Sequence, residues 1–260
     1  MMDHNKYFGT IENSVTTESF NISLTNHISE SKISKHAHDK PYLCLLVSGN
    51  YDEKSNTKNL ISSGEVIYRT AGYEHSNLFH DVDSLCLNIE INNPRHLMNL
   101  NDFALPVSES KQKGSIEVYK VLYALKKETS ADLLDIYCYE SMISYINTSN
   151  RIGKLFWVKQ IKERINDDPI SPLSLEKLSV DFGLHPNYIV RKFKEVTGFK
   201  LSEYLTKIRL EYSINKLIIS DDKITKIALD AGFYDQSHYI RNFKNHVTTT
   251  PLSFKKTIKS

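Results

Sequence analysis

The stretch LEKLSVDFGLHPNYIVRKFK (175–194) decides the reading of this chain, because it returns as ITKIALDAGFYDQSHYIRNFK at 224–244. Leu178, Ser179, Asp181 and Gly183 match Ile227, Ala228, Asp230 and Gly232 at an offset of 49. Arg191, Phe193 and Lys194 match Arg241, Phe243 and Lys244 at an offset of 50. The single inserted residue falls in the turn, where insertions are tolerated. Each copy reads as a short helix, a glycine-containing turn and a second helix, the plan of a helix-turn-helix unit. Gly183 and Gly232 stand where the first helix must end with positive φ. Asp235 is a good N-cap for the second helix of its unit, and His185 a poorer one. Phe193 and Phe243 are expected in the core. Arg191 lies near Lys194 at i,i+3 and away from Phe193, so it faces solvent. Between the copies, residues 201–220 read as one amphipathic helix. It is long enough to hold two second helices roughly 34 Å apart, one turn of DNA.

Charge divides along the chain. Residues 1–150 hold 13 Lys/Arg and 19 Asp/Glu, a net −6, whereas residues 151–260 hold 20 and 12, a net +8. A basic C-terminal half is the footprint of phosphate-backbone binding. The N-terminus lacks the apolar core of a signal peptide, and the longest apolar run, YLCLLV (42–47), is too short to span a bilayer. A cytoplasmic protein without a membrane partner is expected. Cys44, Cys86 and Cys138 are odd in number and widely spaced, and read as small buried hydrophobes.

Period-two alternation marks the first 105 residues as β. Phe20, Ile22 and Leu24 alternate with polar residues, as do Leu85, Leu87, Ile89 and Ile91. From 115 the period becomes helical, over 115–128 and 130–147, up to a polar break at 147–150. Leu155, Val158, Ile161 and Ile165 then form an apolar stripe that stops before Asp168-Pro169. The expected fold is multidomain α+β. It comprises an N-terminal barrel or sandwich, a helical linker, and a C-terminal all-α domain with two helix-turn-helix units.

Residues 155–257 resemble the DNA-binding domain of AraC/XylS-type transcription regulators. SPLSLEKLSVDFG, YIVRKFKEVTG, YLTKIRLEYSINKLI, ITKIALDAGF, SHYIRNFK and TTTPLSFKK carry the likeness in family order. His185 replaces a usual Ser, and Thr248 a usual Gly before the final Thr-Pro. A left-handed Thr248 costs of order 1 kcal/mol, so the helix before it is expected to end differently. The resemblance implies base-edge contacts from Asn187, Val190 and Arg191 in the first unit and from Gln236, His238 and Arg241 in the second. Arg suits guanine and Asn or Gln suits adenine, and Val190 suits a thymine methyl. Lys194 and Lys244 are placed for phosphates. Arg209, also at a family position, is expected in an internal ion pair. Double-stranded DNA is the implied partner, with RNA polymerase a further candidate.

In the N-terminal half, HAHDKPYLCLLVSG (36–49) and GEVIYRTAGYEH (64–75) resemble the two cupin motifs, which implies a cupin-like barrel. His36, His38 and His75 match metal-ligand positions, but Tyr42 stands where a metal-binding cupin has Glu. No cofactor and no metal are therefore assigned, with the three histidines kept as candidates. His36, His38, Tyr42, Tyr68, Tyr73 and His75 are candidate lining of an effector pocket, with Phe79 beside them. The acidic residues form no recognisable catalytic pair, so no catalytic residue is assigned.

The reading is a DNA-binding transcription regulator. Residues 1–108 form a cupin-like sensor of a small molecule, 109–150 a helical linker that pairs two chains, and 151–260 the DNA-binding domain. Leu134→Asp is the natural probe of that pairing. The rival reading is a metal-dependent cupin enzyme with an accessory DNA-binding domain.

Overall fold

The computed structural model describes residues 8–80, 82–92, 110–150 and 156–260. The chain divides into two compact units, one of residues 1–146 with 256–260 and one of residues 147–255. The expected boundary near 108 and the first residue of the apolar stripe, Leu155, lie outside the described residues.

The first unit is built on two antiparallel sheets. One runs β1 (Thr10–Thr16), β2 (Phe20–His27), β9 (Ser84–Ile91), β4 (Tyr42–Ser48), β7 (Glu65–Arg69), β10 (Ser110–Lys113) in spatial order. The other runs β3 (Lys32–His36), β8 (His75–Phe79), β5 (Asn50–Lys54), β6 (Lys58–Ser62). The pairing of Leu43 with Ile89 and of Ile22 with Ile89 aligns Phe20, Ile22, Leu24, Leu43, Leu45, Leu87 and Ile89 on one face of the larger sheet. Helices α1 (Ile116–Lys126) and α2 (Ala131–Asn150) pack on that face. Phe20 meets Tyr139 edge-on at 5.0 Å, and the Asn13 amide donates to Leu125 O at 3.1 Å. Each such fully buried apolar side chain contributes roughly 1.5–3 kcal/mol. The helix α2 runs on through the expected break at 147–150, where neither Gly nor Pro interrupts it.

The alternate residues of the same strands face the smaller sheet. Tyr42, Cys44, Leu46, Ile67 and Cys86 share a core with Ile33, Tyr51, Ile61 and Phe79. A buried ion pair joins the layers, with Arg69 of β7 on Glu53 of β5 through Nε to Oε2 at 3.2 Å and a second, shorter Nη2–Oε1 contact. Leu134 is 0% exposed, so it belongs to the packing of its own unit and cannot report on pairing of two chains. The solvent face of α2 carries instead Ile136, 52% exposed, and Ile143, 38% exposed.

The second unit is helical. Helix α3 (Phe156–Asp167) precedes α4 (Leu175–Phe182) and α5 (Pro186–Thr197) of the first helix-turn-helix unit. The long α6 (Leu201–Ile219) leads to α7 (Ile224–Asp230) and α8 (Gln236–Val247) of the second, and α9 (Pro251–Lys259) follows. Val158, Ile161, Ile165, Leu178, Ile189, Phe193 and Tyr204 form the core around the first pair. Around the second, Phe243 packs edge-on against Tyr239 at 5.6 Å and Phe254 at 5.7 Å. The two phenylalanines of the repeated Arg-x-Phe-Lys are therefore matching anchors, both fully buried.

Candidate nucleic-acid interface and ligand pocket

Capping fixes where each second helix begins. Ser174 accepts from Lys177 N at 3.1 Å to start α4, and Gly183, with φ 62° and ψ 31°, ends it. His185, expected to be the poorer of the two caps, caps α5 through a longer contact than Asp235 makes: its Nδ1 accepts from Asn187 N at 3.2 Å, and Pro186 supplies the first helical φ. Asp235 caps α8 by accepting from His238 N at 2.7 Å.

With α5 held by Ile189 and Phe193, the turn-spaced face opposite carries Asn187, Val190, Arg191 and Lys194, all exposed. On α8, Tyr239, Phe243 and Val247 are buried, and Gln236, Arg241 and Lys244 are exposed. Gln236 already accepts a hydrogen bond from Thr225 of α7. His238 is half-buried, its ring edge-on to Phe233 at 5.6 Å and its Nδ1 buried without a hydrogen-bond partner. The residue that takes the place of Asn187 on α8 is Ser237, exposed and not singled out in the sequence. Counting from the caps His185 and Asp235, at the offset of 50 instead of the offset of 49, would have found it.

Two expectations about this unit are corrected. Among the described residues Arg209 of α6 makes no ion-pair contact of the kind expected; its Nε donates to Pro169 O at 2.8 Å and its Nη2 to Ile170 O at 3.3 Å. Carbonyls exposed where α3 ends take the guanidinium that a carboxylate was expected to take. Helix α8 also ends in the usual way. Thr248 adopts φ 63° and ψ 9°, the left-handed cap that Gly198 supplies at φ 81° to α5. Its amide bonds Lys244 O at 3.0 Å, which compensates part of the strain.

In the first unit, a cavity of about 50 Å³ lies between the sheets. His36, His38, Tyr42 and His75 line it, as the sequence suggested. Tyr68 does not; opposite Leu43 in the register, it faces the helices and packs near Tyr145 at 6.1 Å. Tyr73 stands behind the cavity, stacked on His75 at 5.4 Å, with its hydroxyl donating to Glu53 Oε1 at 3.4 Å. The polar strand residues Thr25, His27, Asn88 and Glu90 line the wall and were not singled out. Their alternation with Leu24, Leu87 and Ile89 was visible, but it reads as a solvent face until a second sheet covers it.

Burial dominates the electrostatics here. It pushes His38 and His27 down to about 4 and His75 to about 3, and lowers His36 against the opposing carbonyl of Ser34. Burial also holds the Tyr42 phenol well above its ordinary range, so it stays protonated. The pocket thus presents neutral imidazoles and a phenol, with Glu90 held by Asn21 at 2.9 Å and Lys40 at 3.2 Å.

The family model for a helix-turn-helix domain matches residues 178–257. The multiple antibiotic resistance protein MarA of Escherichia coli is 33% identical over 109 residues, 42% of this chain and 86% of MarA. The transcriptional activator RhaS of Pectobacterium carotovorum is 24% identical over 263 residues, 92% of this chain and 94% of RhaS. The uncharacterized regulator YijO of Escherichia coli is 28% identical over 120 residues, 46% of this chain; the chain spans only 42% of that relative's length.

Proposed function

The chain belongs to the AraC/XylS family of helix-turn-helix transcription regulators, which bind DNA and are not enzymes, and on that premise we propose that it reads two successive major grooves with α5 and α8. The observation that carries the reading is the pair Arg191 and Arg241, exposed at matching places on two helices anchored alike by Phe193 and Phe243. Arg191 and Arg241 pair with guanines, Asn187 and Gln236 with adenines, and Val190 packs on a thymine methyl. The half-buried His238 contacts a base through the edge of its ring that remains open. Lys194 and Lys244 hold phosphates, with Ser237 in reach beside them. Selection of binding sites from a random duplex library by the full chain tests this. Two preferred clusters about 10 base pairs apart are expected; enrichment of no sequence would overturn it.

Residues 1–108 act as a cupin-like barrel that senses a small effector at His36, His38, Tyr42 and His75, while 151–260 bind DNA and contact RNA polymerase in the cytoplasm. Residues 109–150 pair two chains through the outer face of α2. The pocket supports the sensor reading because its inward polar side chains lie on the strands whose other face carries the helices. A thermal-shift screen checks it, since a ligand that binds only the folded state raises apparent stability. Sedimentation of Ile136→Asp and Ile143→Asp variants checks the pairing; a dimer that survives both excludes that face.

A further inference from the structure

We propose that Tyr234 donates a hydrogen bond to a phosphodiester oxygen of bound DNA, at the lip of the groove that α8 enters. This contact rests on the DNA-binding reading above and deepens it. Tyr234 is the residue by which the second helix-turn-helix unit exceeds the first. Into the turn the two units agree at an offset of 49: Leu184 N bonds Ser179 O at 3.1 Å, and Phe233 N bonds Ala228 O at 3.0 Å. From the caps onward they agree at an offset of 50, with His185 before α5 and Asp235 before α8. Tyr234 stands between Phe233 and Asp235 and has no counterpart between Leu184 and His185.

The added residue contributes nothing to the core. Phe233 on one side is buried, and on the other the Asp235 carboxylate turns in to accept from His238 N. Asp235 is extended, at φ −153° and ψ 174°, so neighbouring side chains there point to opposite sides. The Tyr234 ring accordingly turns out. It is 88% exposed, more than any other large apolar side chain among the described residues, and its hydroxyl has no hydrogen-bond partner among them. A single exposed ring is ordinary on a protein surface. Tyr234 differs in being an insertion, in lacking a packing role, and in standing at the entrance to a recognition helix.

That place selects the partner. A recognition helix sets its N-terminal residues against base edges, so the chain leading into it crosses the lip of the groove, where the phosphates run. Tyrosine is among the side chains that bond phosphate oxygens, with the phenol donating and the oxygen accepting. The centre of a protein interface is depleted of charged residues. Around Tyr234, by contrast, Asp235, Gln236 and Ser237 are polar and all exposed, which favours a polar backbone over an apolar protein surface. A phenolic hydroxyl grips a phosphate without bringing a positive charge, so it adds affinity without counterion release. The second unit is then held by one contact that the first unit lacks.

The full chain and its Tyr234→Phe variant are titrated, over a range of salt, with the duplex selected by the wild type and with a random duplex of equal length. Tyr234→Phe should weaken binding to the selected duplex roughly tenfold, as loss of one hydrogen bond to a charged group does. The random duplex should lose the same factor, because a phosphate contact carries no sequence. The salt slope should stay as in the wild type, whereas Lys244→Ala reduces it by about one. A methylphosphonate linkage, which removes the charged oxygen, is then moved along the backbone beside the second selected cluster. At one position it should weaken the wild type and leave Tyr234→Phe no weaker than before. Melting temperatures of the two proteins should agree. Equal affinity of Tyr234→Phe and wild type overturns the contact and leaves the DNA-binding reading standing. A loss confined to one sequence, or one accompanied by a lower melting temperature, assigns the ring to base reading or to packing and also overturns it. A wild type that binds no duplex overturns both.

Discussion

The Arg209 guanidinium occupies the space that a side chain at Gly232 would need: a β-carbon there would lie 2.9 Å from Nε and 3.1 Å from Cζ. One arginine of α6 thus touches the loop after α3 and the turn between α7 and α8. Gly232→Ala should cost about 2–4 kcal/mol, from the left-handed backbone at φ 79° and from displaced charged hydrogen bonds. Arg209→Ala removes the obstacle, so the double variant should be less destabilised than the sum of the singles. Urea unfolding of the four proteins measures the coupling; strict additivity would show that the two residues do not interact.

Arg191→Ala and Arg241→Ala should each cost about 1–3 kcal/mol on the selected site and relax preference at one base pair. Lys194→Ala and Lys244→Ala should weaken all sequences alike and reduce the salt slope by about one. Repeating the duplex selection with each variant, and titrating salt, separates base reading from grip. If only one arginine changes the preference, the chain reads DNA with one helix and holds it with the other.

Gly198 and Thr248 hold the same left-handed cap, so reciprocal substitutions should act oppositely. Gly198→Ala, with open space around the new β-carbon, should destabilise by about 1 kcal/mol from backbone conformation alone. Thr248→Gly should stabilise by somewhat less than this, because glycine loses more entropy on folding. Thermal melts of the two variants decide it, and a loss of stability in both would contradict the shared-cap account.

Stability should fall in mild acid. Burial holds His27 at about 4 against its ordinary 6.5, so between these values the unfolded chain takes a proton that the folded state refuses. Its contribution is complete above pH 6.5 and is lost as pH falls toward 4, by of order 3 kcal/mol. His38 and His75, pushed to about 4 and about 3, act with the same sign. His27→Gln should flatten the slope of urea midpoint against pH over that window; an unchanged slope would exclude His27 as a contributor.

The helical half was legible because its signals are local. A 3.6-residue period, a glycine at each turn and an acidic cap all lie within twenty residues, and the repeat supplies its own control. The fate of Tyr68 was not local. Whether it shares a face with Tyr42 depends on register, and Tyr42 pairs with Arg69, not with Tyr68. A one-residue change of register flips every side chain, and one strand's sequence does not fix it. Arg209 was misjudged for a related reason. A carbonyl-bound guanidinium depends on backbone groups, which any residue provides and no residue type announces.

Because side chains alternate along β4, odd and even positions answer to separate demands. Leu43 and Leu45 face the helices, while Tyr42, Cys44 and Leu46 face the cavity wall and the second sheet. Substitutions at the even-numbered positions therefore change the core between the sheets and leave the odd-numbered surface unaltered. The pleat of a single strand lets the layer between the sheets diverge without renegotiating its helix packing.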